Sequence, residues 1–118
     1  MRIGEFITLV KTTKDTVRHY EDLDLIRPGW TKGTREYAQS DLNDFYAIKE
    51  MQEMGLALKD IQAIFEIKRS DGCGSDQLIS SVLGSLKNEL GILHDAEEEL
   101  KKKKFMIQGI VGDLKKLS

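Results

Sequence analysis

The chain has 118 residues, 40% of them hydrophobic, which is enough for one domain with a modest core. Its 18 Lys and Arg nearly balance 20 Asp and Glu, and a net charge of −2 is unlike that of a domain binding nucleic acid through its average charge. One Cys excludes an internal disulfide, and the first apolar stretch is too short for a signal peptide or membrane span. We therefore expect a soluble, cytoplasmic protein without membrane contact.

Two short helices are predicted at the N-terminus. The apolar residues of Ile3–Val10 fall at helical spacing, which predicts a first helix with one buried face. Thr12 with Asp15 three residues later is a helix start signal, so we expect a second helix from about Lys14. Two short helices joined by a few residues form a helix-turn-helix unit, whose second helix reads DNA.

The second helix should point Val17 and Leu23 inward and its polar residues outward. The side chains expected on its outer side are those of Lys14, Arg18, His19 and Tyr20. We assign direct base contacts to Lys14, Asp15, Arg18 and His19, with Thr13 at the start of the same surface. Tyr20 is assigned mainly to phosphates and orientation. The acidic residues of this segment should face away or orient the basic side chains.

A basic hairpin follows the second helix. Pro28 ends the helical pattern, and Gly29 and Gly33 supply the flexible backbone of a tight hairpin. A hairpin carrying Lys32 and Arg35 can act as a wing that contacts phosphates beside the groove. Tyr37 is assigned to the same wing, for phosphate contact and orientation. The alternative is a surface turn with incidental charge.

The order of these motifs resembles the MerR family of bacterial transcription regulators. The matching segments are Arg18–Glu21 (RHYE), Leu25–Pro28 (LIRP), Gly33–Tyr37 (GTREY) and Met54–Ile61 (MGLALKDI). The resemblance covers roughly residues 2–68, and the combination is far more specific than any single motif. The sequence departs from the family pattern in a short wing and in Thr34, where an aromatic residue is common.

The resemblance implies a dimer bound to a pseudo-palindromic promoter with a long spacer. An effector would make the dimer twist or bend this double-stranded DNA so that RNA polymerase engages both promoter elements. The resemblance also implies that the long helices of two subunits pair antiparallel. Larger members carry a C-terminal sensor domain, for which this chain lacks the length, and a small-molecule effector remains open.

Two scaffold helices are predicted next. Ser40 is the expected cap of a helix whose apolar residues recur through Leu42–Met51, and Gly55 is its expected stop. A further helix is expected from about Leu58 to Ile67. We place the DNA-binding domain at residues 1–69 and a hinge rich in turn residues at 70–75.

A long amphipathic helix follows at residues 76–108, and residues 109–118 are assigned to a short tail because Gly109 and Gly112 weaken the pattern. Apolar residues alternate by four and three along it, which is typical of a coiled-coil seam. The positions assigned to dimerisation are Ile79, Leu83, Leu86, Leu90, Leu93, Leu100 and Ile107. The predicted fold class is mainly α, with a winged helix-turn-helix followed by an antiparallel coiled coil in a homodimer. The alternative is a helix folded back on its own domain.

Other functional classes have little support in the sequence. Cys73 is a weak metal-ligand candidate, with His94 as a second ligand only in a site built across a dimer, so we expect no metal and no cofactor. No nucleophile, base and orienting group occur at catalytic spacing, so we do not expect an enzyme. The remaining alternatives are a coiled-coil adaptor that binds protein and a thiol- or metal-responsive sensor using Cys73.

Overall fold

The computed structural model describes all 118 residues. Five helices and one hairpin follow in the order α1 (Ile3–Val10), α2 (Lys14–Asp22), β1 (Gly29–Thr31), β2 (Thr34–Glu36), α3 (Gln39–Glu53), α4 (Leu58–Asp71) and α5 (Asp76–Leu117). The predicted mainly helical fold with a small wing and a long C-terminal helix is confirmed. The chain divides into two compact units, Met1–Val82 and Leu83–Ser118. No helix combines the length and apolar character needed to cross a membrane.

An aromatic cluster forms the centre of the first unit. The Phe6 and Tyr37 rings stack with their centroids 4.6 Å apart, and Phe6 meets Phe45 edge-on at 6.0 Å. All three side chains are buried, as are the aliphatic side chains of the same unit that are most fully covered: Val17, Leu25, Ile26, Ile48 and Ile61. The cluster joins α1, the residue after β2, and α3, so the wing is anchored to the helical core.

Helices α1, α2 and α3 are each followed within two residues by a residue with positive φ, which turns the chain sharply. These residues are Lys11 (54°), Asp24 (62°) and Gly55 (99°). After each, the next backbone amide donates to a carbonyl five residues earlier, at 3.1, 2.9 and 3.1 Å respectively. This closure satisfies carbonyls that the helix leaves free. The predicted stop at Gly55 is confirmed.

Two predicted helix caps are wrong by one or two residues. The amide of Thr12 closes α1 by donating to Ile7 O, so Thr13 becomes the cap of α2 and its Oγ1 accepts from Thr16 N at 3.2 Å. Ser40 lies inside the first turn of α3, and the Asp41 carboxylate accepts from Ala38 N at 2.8 Å instead. Burial raises the pKa of the Asp41 carboxyl.

The predicted hinge and tail are also partly wrong. Helix α4 continues to Asp71, so only residues 72–75 separate it from α5. Helix α5 runs through Gly109 and Gly112 to Leu117 rather than ending at Gln108. A Gly inside a helix costs about 1 kcal/mol relative to Ala, against about 3 kcal/mol for Pro, and the helix tolerates that cost at both positions.

Candidate nucleic-acid interface

The outer face of α2 presents a mixed polar surface. Val17 and Tyr20 lie inward, while Lys14, Asp15 and His19 are exposed. This division follows the helical period, because residues three apart share a face. Arg18 is half-buried at the edge of this surface and Thr13 is exposed at its N-terminal end. The structure therefore brings five of the six predicted recognition-helix residues to one accessible side.

Tyr20 is the exception, and its predicted place on the outer side is wrong. Its side chain is only 4% exposed, and its hydroxyl donates to Gln52 Oε1 on α3 at 2.6 Å. Its ring also contacts Phe45, with centroids 5.6 Å apart. Burial raises the pKa of the Tyr20 phenol. Its spacing of three from Val17 was the sequence signal for an inward position.

The wing is a short antiparallel hairpin that pairs Trp30 with Arg35 and Thr31 with Thr34. Its turn residues Lys32 and Gly33 have φ of 53° and 73°, the pattern of a type I′ turn. Lys32 is exposed at the tip. The role predicted for Gly33 is confirmed. That of Gly29 is wrong, because it lies in β1 without positive φ and a Cβ there would make only an ordinary contact.

Two residues without a predicted role help to build the wing surface. Trp30 is 64% exposed, and the Arg35 guanidinium carbon lies 4.9 Å from its ring centroid, within range of a cation–π interaction. Arg2 reaches the same hairpin, where its Nη1 donates to Thr31 O at 3.4 Å. Arg2 is 29 residues from this partner and belongs to no motif, so no local sequence signal indicates its role.

Glu21 joins the recognition helix to the wing. Arg35 Nε donates to Glu21 Oε1 at 2.7 Å, and the Tyr37 hydroxyl donates to Oε2 at 3.3 Å. Arg18 Nε lies 3.3 Å from the same Oε2. The Glu21 side chain is only 10% exposed, so these contacts are shielded from water. Of the two roles expected for acidic residues in this segment, Glu21 has that of orienting basic side chains.

Tyr37 is therefore an internal residue rather than a phosphate contact on the surface. Its side chain is 1% exposed, and its backbone amide donates to Met1 O at 2.6 Å. Burial, followed by the neighbouring charge of Glu21, raises the pKa of the Tyr37 phenol. Of the two roles predicted for Tyr37, the structure is consistent with orientation alone.

A second cluster of charges lies where α2 ends. Arg27 pairs with Asp24, and this hydrogen bond lowers the pKa of the Asp24 carboxyl. Arg69 on α4 donates to the Asp24 and Leu25 carbonyl oxygens, the latter at 2.9 Å. Arg69 thus holds the end of the recognition helix against α4. Arg27 therefore already has an acidic partner.

The weak metal-site candidate gains no partners within the chain. Cys73 is a free, exposed thiol between α4 and α5. No group of three or more His, Cys, Asp or Glu side chains is placed to hold a metal ion. His94 is an exposed residue of α5.

Comparison with known proteins matches residues 1–67 to the family described as MerR HTH family regulatory protein. The mercuric resistance operon regulatory protein of Bacillus cereus is 39% identical over 72 residues, covering 59% of this chain and 54% of that protein. The multidrug-efflux transporter 2 regulator of Bacillus subtilis is 33% identical over 70 residues, covering 58% and 26%. This chain therefore spans about half, or less, of the length of these two relatives.

Among solved structures, the transcription regulator PbrR691 from Ralstonia metallidurans CH34, in complex with lead(II), has a similar fold. The TM-score is 0.59 at 23% identity, and the match covers 86% of this chain and 83% of that one. At this identity the likeness concerns the fold. It extends beyond the residues of the family match into the second half of the chain.

Proposed function

The chain belongs to the MerR family of helix-turn-helix regulatory proteins, and from that membership we propose that it is a dimeric transcription regulator that binds promoter DNA in the cytoplasm. The observation that carries the proposal is the joined surface of α2 and the hairpin. An exposed helix face and a basic wing are held together at Glu21, with exposed or half-exposed cations on both. A recognition helix in the major groove with a wing on the flanking backbone uses such a surface.

Direct base contacts fall to exposed and half-exposed side chains of α2. Arg18 suits a guanine edge because a guanidinium donates two parallel hydrogen bonds, and Lys14, Asp15 and His19 lie on the same surface. Lys32 and Arg35 on the wing suit phosphates, with Thr13 beside the helix start. The buried Tyr20 and Tyr37 support this surface from behind.

The overall net charge of −2 is compatible with DNA binding, because the cations are concentrated locally. If each subunit neutralises about four phosphates, the logarithm of affinity falls with the logarithm of salt with a slope of about −7 for a dimer. This steep dependence would separate DNA binding from the protein-binding alternative, for which no such slope is expected.

Dimerisation is proposed through α5. All seven assigned seam residues are exposed or half-exposed in the single chain, including Leu90 at 66%. Burying one such side chain contributes roughly 1.5–3 kcal/mol before entropy losses. A second copy offers the same seam, so an isologous pair covers both. Antiparallel pairing follows from family membership, and it would set the separation of the two DNA-binding units.

In the proposed mechanism, the dimer binds a pseudo-palindromic promoter and distorts its spacer to control RNA polymerase. A site read by two identical units has two-fold symmetry, because the protein does. DNA distortion carries an energy that depends on the sequence deformed, so base pairs that the protein does not touch can influence specificity. An effector that favours one dimer geometry would then act as a switch.

The test begins with DNA duplexes selected from a random-sequence library by the purified chain. Fluorescence anisotropy would compare a selected duplex with a scrambled one across a salt series, and sedimentation would give the number of chains per duplex. We expect two chains per duplex and binding that depends on sequence. Arg18→Ala should weaken selected-duplex binding by about 1–3 kcal/mol. Lys49→Ala, at an exposed position on α3, is the matched loss of one charge.

Weak, equal binding to both duplexes would overturn the proposal and favour a protein-binding adaptor. If Arg18→Ala bound the selected duplex with full affinity, Arg18 would not be a base contact, and the other proposed contacts would be unaffected. A slope near zero in the salt series would contradict the phosphate contacts, since these release counterions.

A further inference from the structure

We propose that Glu21 is a positioning residue that couples Arg18 of the recognition helix to Arg35 of the wing, so that the two elements bind DNA as one unit. The inference rests on the proposed DNA-binding function and adds to it the residue that fixes the geometry of the surface. It concerns an acidic side chain, which by charge alone would oppose DNA binding.

The geometry places one carboxylate between two elements. Arg18 is three residues before Glu21 on the same helix, whereas Arg35 is 14 residues after it on β2. Glu21 is almost fully covered, while the Arg18 and Arg35 side chains keep about a third of their surface exposed. The carboxylate thus lies behind the two guanidinium groups. It can hold them in place without itself meeting a phosphate.

The two arginines are held to different degrees. Arg35 makes a 2.7 Å hydrogen bond through Nε and also lies over the Trp30 ring, so its position is fixed from two sides. Arg18 Nε is buried, close to Glu21 but without a hydrogen bond of good geometry. Arg35 therefore anchors the carboxylate, and the carboxylate in turn limits where the Arg18 side chain can lie.

Charge provides an opposing expectation that makes the proposal testable. Removing a negative charge near a DNA surface should strengthen binding to any duplex, because repulsion from phosphates falls. A positioning role gives the reverse on a specific site, where correct geometry matters more than total charge. The sign of the effect on a selected duplex therefore separates the two.

The experiment compares Glu21→Gln with Asp22→Asn, using a duplex selected by the wild-type chain and a scrambled duplex. Asp22 is the adjacent residue on α2, is exposed and makes no ion pair in the chain, so it is a matched loss of one negative charge. We expect Glu21→Gln to weaken selected-duplex binding about tenfold, the size of a coupling between contacting residues. Scrambled-duplex binding should not weaken, and Asp22→Asn should not weaken either.

A double-mutant cycle tests the coupling itself. Arg18→Ala and Arg35→Ala are combined in the wild-type and Glu21→Gln backgrounds, and their non-additivity on the selected duplex should disappear when Glu21 is absent. If circular dichroism shows that Glu21→Gln does not fold, Arg35→Gln removes the same contact from the wing side. In the Arg35→Gln background, Arg18→Ala should then weaken selected-duplex binding less than it does in the wild type.

Three results would decide against the coupling. Equal tightening by Glu21→Gln and Asp22→Asn on both duplexes would show that Glu21 acts only through its charge. Unchanged non-additivity in the Glu21→Gln background would show that the arginines are coupled by other contacts, and an undiminished Arg18→Ala effect after Arg35→Gln would do the same. Failure of the proposed DNA-binding function is a different result, since the wild-type chain would then enrich no duplex.

Discussion

Replacing Tyr20 by Phe should lower stability and leave DNA affinity unchanged, because the structure makes this hydroxyl an internal contact. The hydroxyl donates to Gln52 Oε1 at 2.6 Å, while the ring contacts Phe45 in the core. Phe keeps the ring and its burial and removes only the hydrogen bond. Tyr20→Phe therefore isolates one contact between α2 and α3.

The expected loss of unfolding free energy is about 0.5–1.5 kcal/mol, the net worth of one such hydrogen bond. The half-buried Gln52 amide keeps access to water, so the full penalty of an unsatisfied buried acceptor should not apply. Urea denaturation at fixed protein concentration would measure this difference, because dimer stability depends on concentration. Gln52→Ala removes the same hydrogen bond from the acceptor side, on α3.

The phenol also gives an alkaline readout. Burial raises the pKa of Tyr20 above its ordinary value of 10.0, so the folded state holds the proton more tightly than the unfolded state. Stability from this difference is complete below the unfolded pKa and is lost as pH rises through the folded pKa. Tyr20→Phe should make unfolding free energy less sensitive to pH above about 10, the reference tyrosine pKa.

A different pattern would refute the reasoning. If Tyr20→Phe kept its stability but lost affinity for a selected duplex, the hydroxyl would be a phosphate contact and the internal position assigned here would be wrong. A loss of both would be resolved by Gln52→Ala, since that variant removes the internal partner and leaves the tyrosine hydroxyl present.

Three further predictions concern other parts of the chain. Lys11→Gly should raise unfolding free energy in urea by roughly 0.5–1 kcal/mol, because Gly tolerates its positive φ, and a decrease would contradict this. Leu90→Lys should give monomers in sedimentation, whereas Ile92→Lys, about 200° away around α5, should stay dimeric. If both variants remained dimeric, the assignment of Leu90 to the dimer seam would be wrong. The raised pKa of Asp41 should make wild-type stability fall relative to Asp41→Asn as pH rises above 3.8, while a constant difference between pH 4 and 7 would count against it.

The sequence alone was sufficient for the order of elements and the fold class. Helical spacing in residues 3–10, the turn glycine Gly33 and the stop at Gly55 are signals read over a few neighbouring residues. Each depends on backbone conformation that local residues control. The motif order added the family, which the match over residues 1–67 bears out.

Local signals were weaker at element boundaries. Thr13 rather than Thr12 supplies the side-chain oxygen that caps α2, and Asp41 rather than Ser40 completes the start of α3. Sequence patterns propose every residue able to cap a helix, and the neighbouring turn decides which one does. Helix α5 also continues through Gly109 and Gly112, because each Gly costs a helix only about 1 kcal/mol relative to Ala.

The sequence by itself determined that this chain has a recognition helix, a basic wing and a long apolar seam, because periodicity and turn chemistry act between near neighbours. Only the tertiary structure decided which side chains of that surface remain accessible. Tyr20 meets Gln52 across 32 residues, and Glu21 meets Arg35 across 14. Such contacts depend on how separate elements pack in space, and the spacing of residues within one element does not predict that packing.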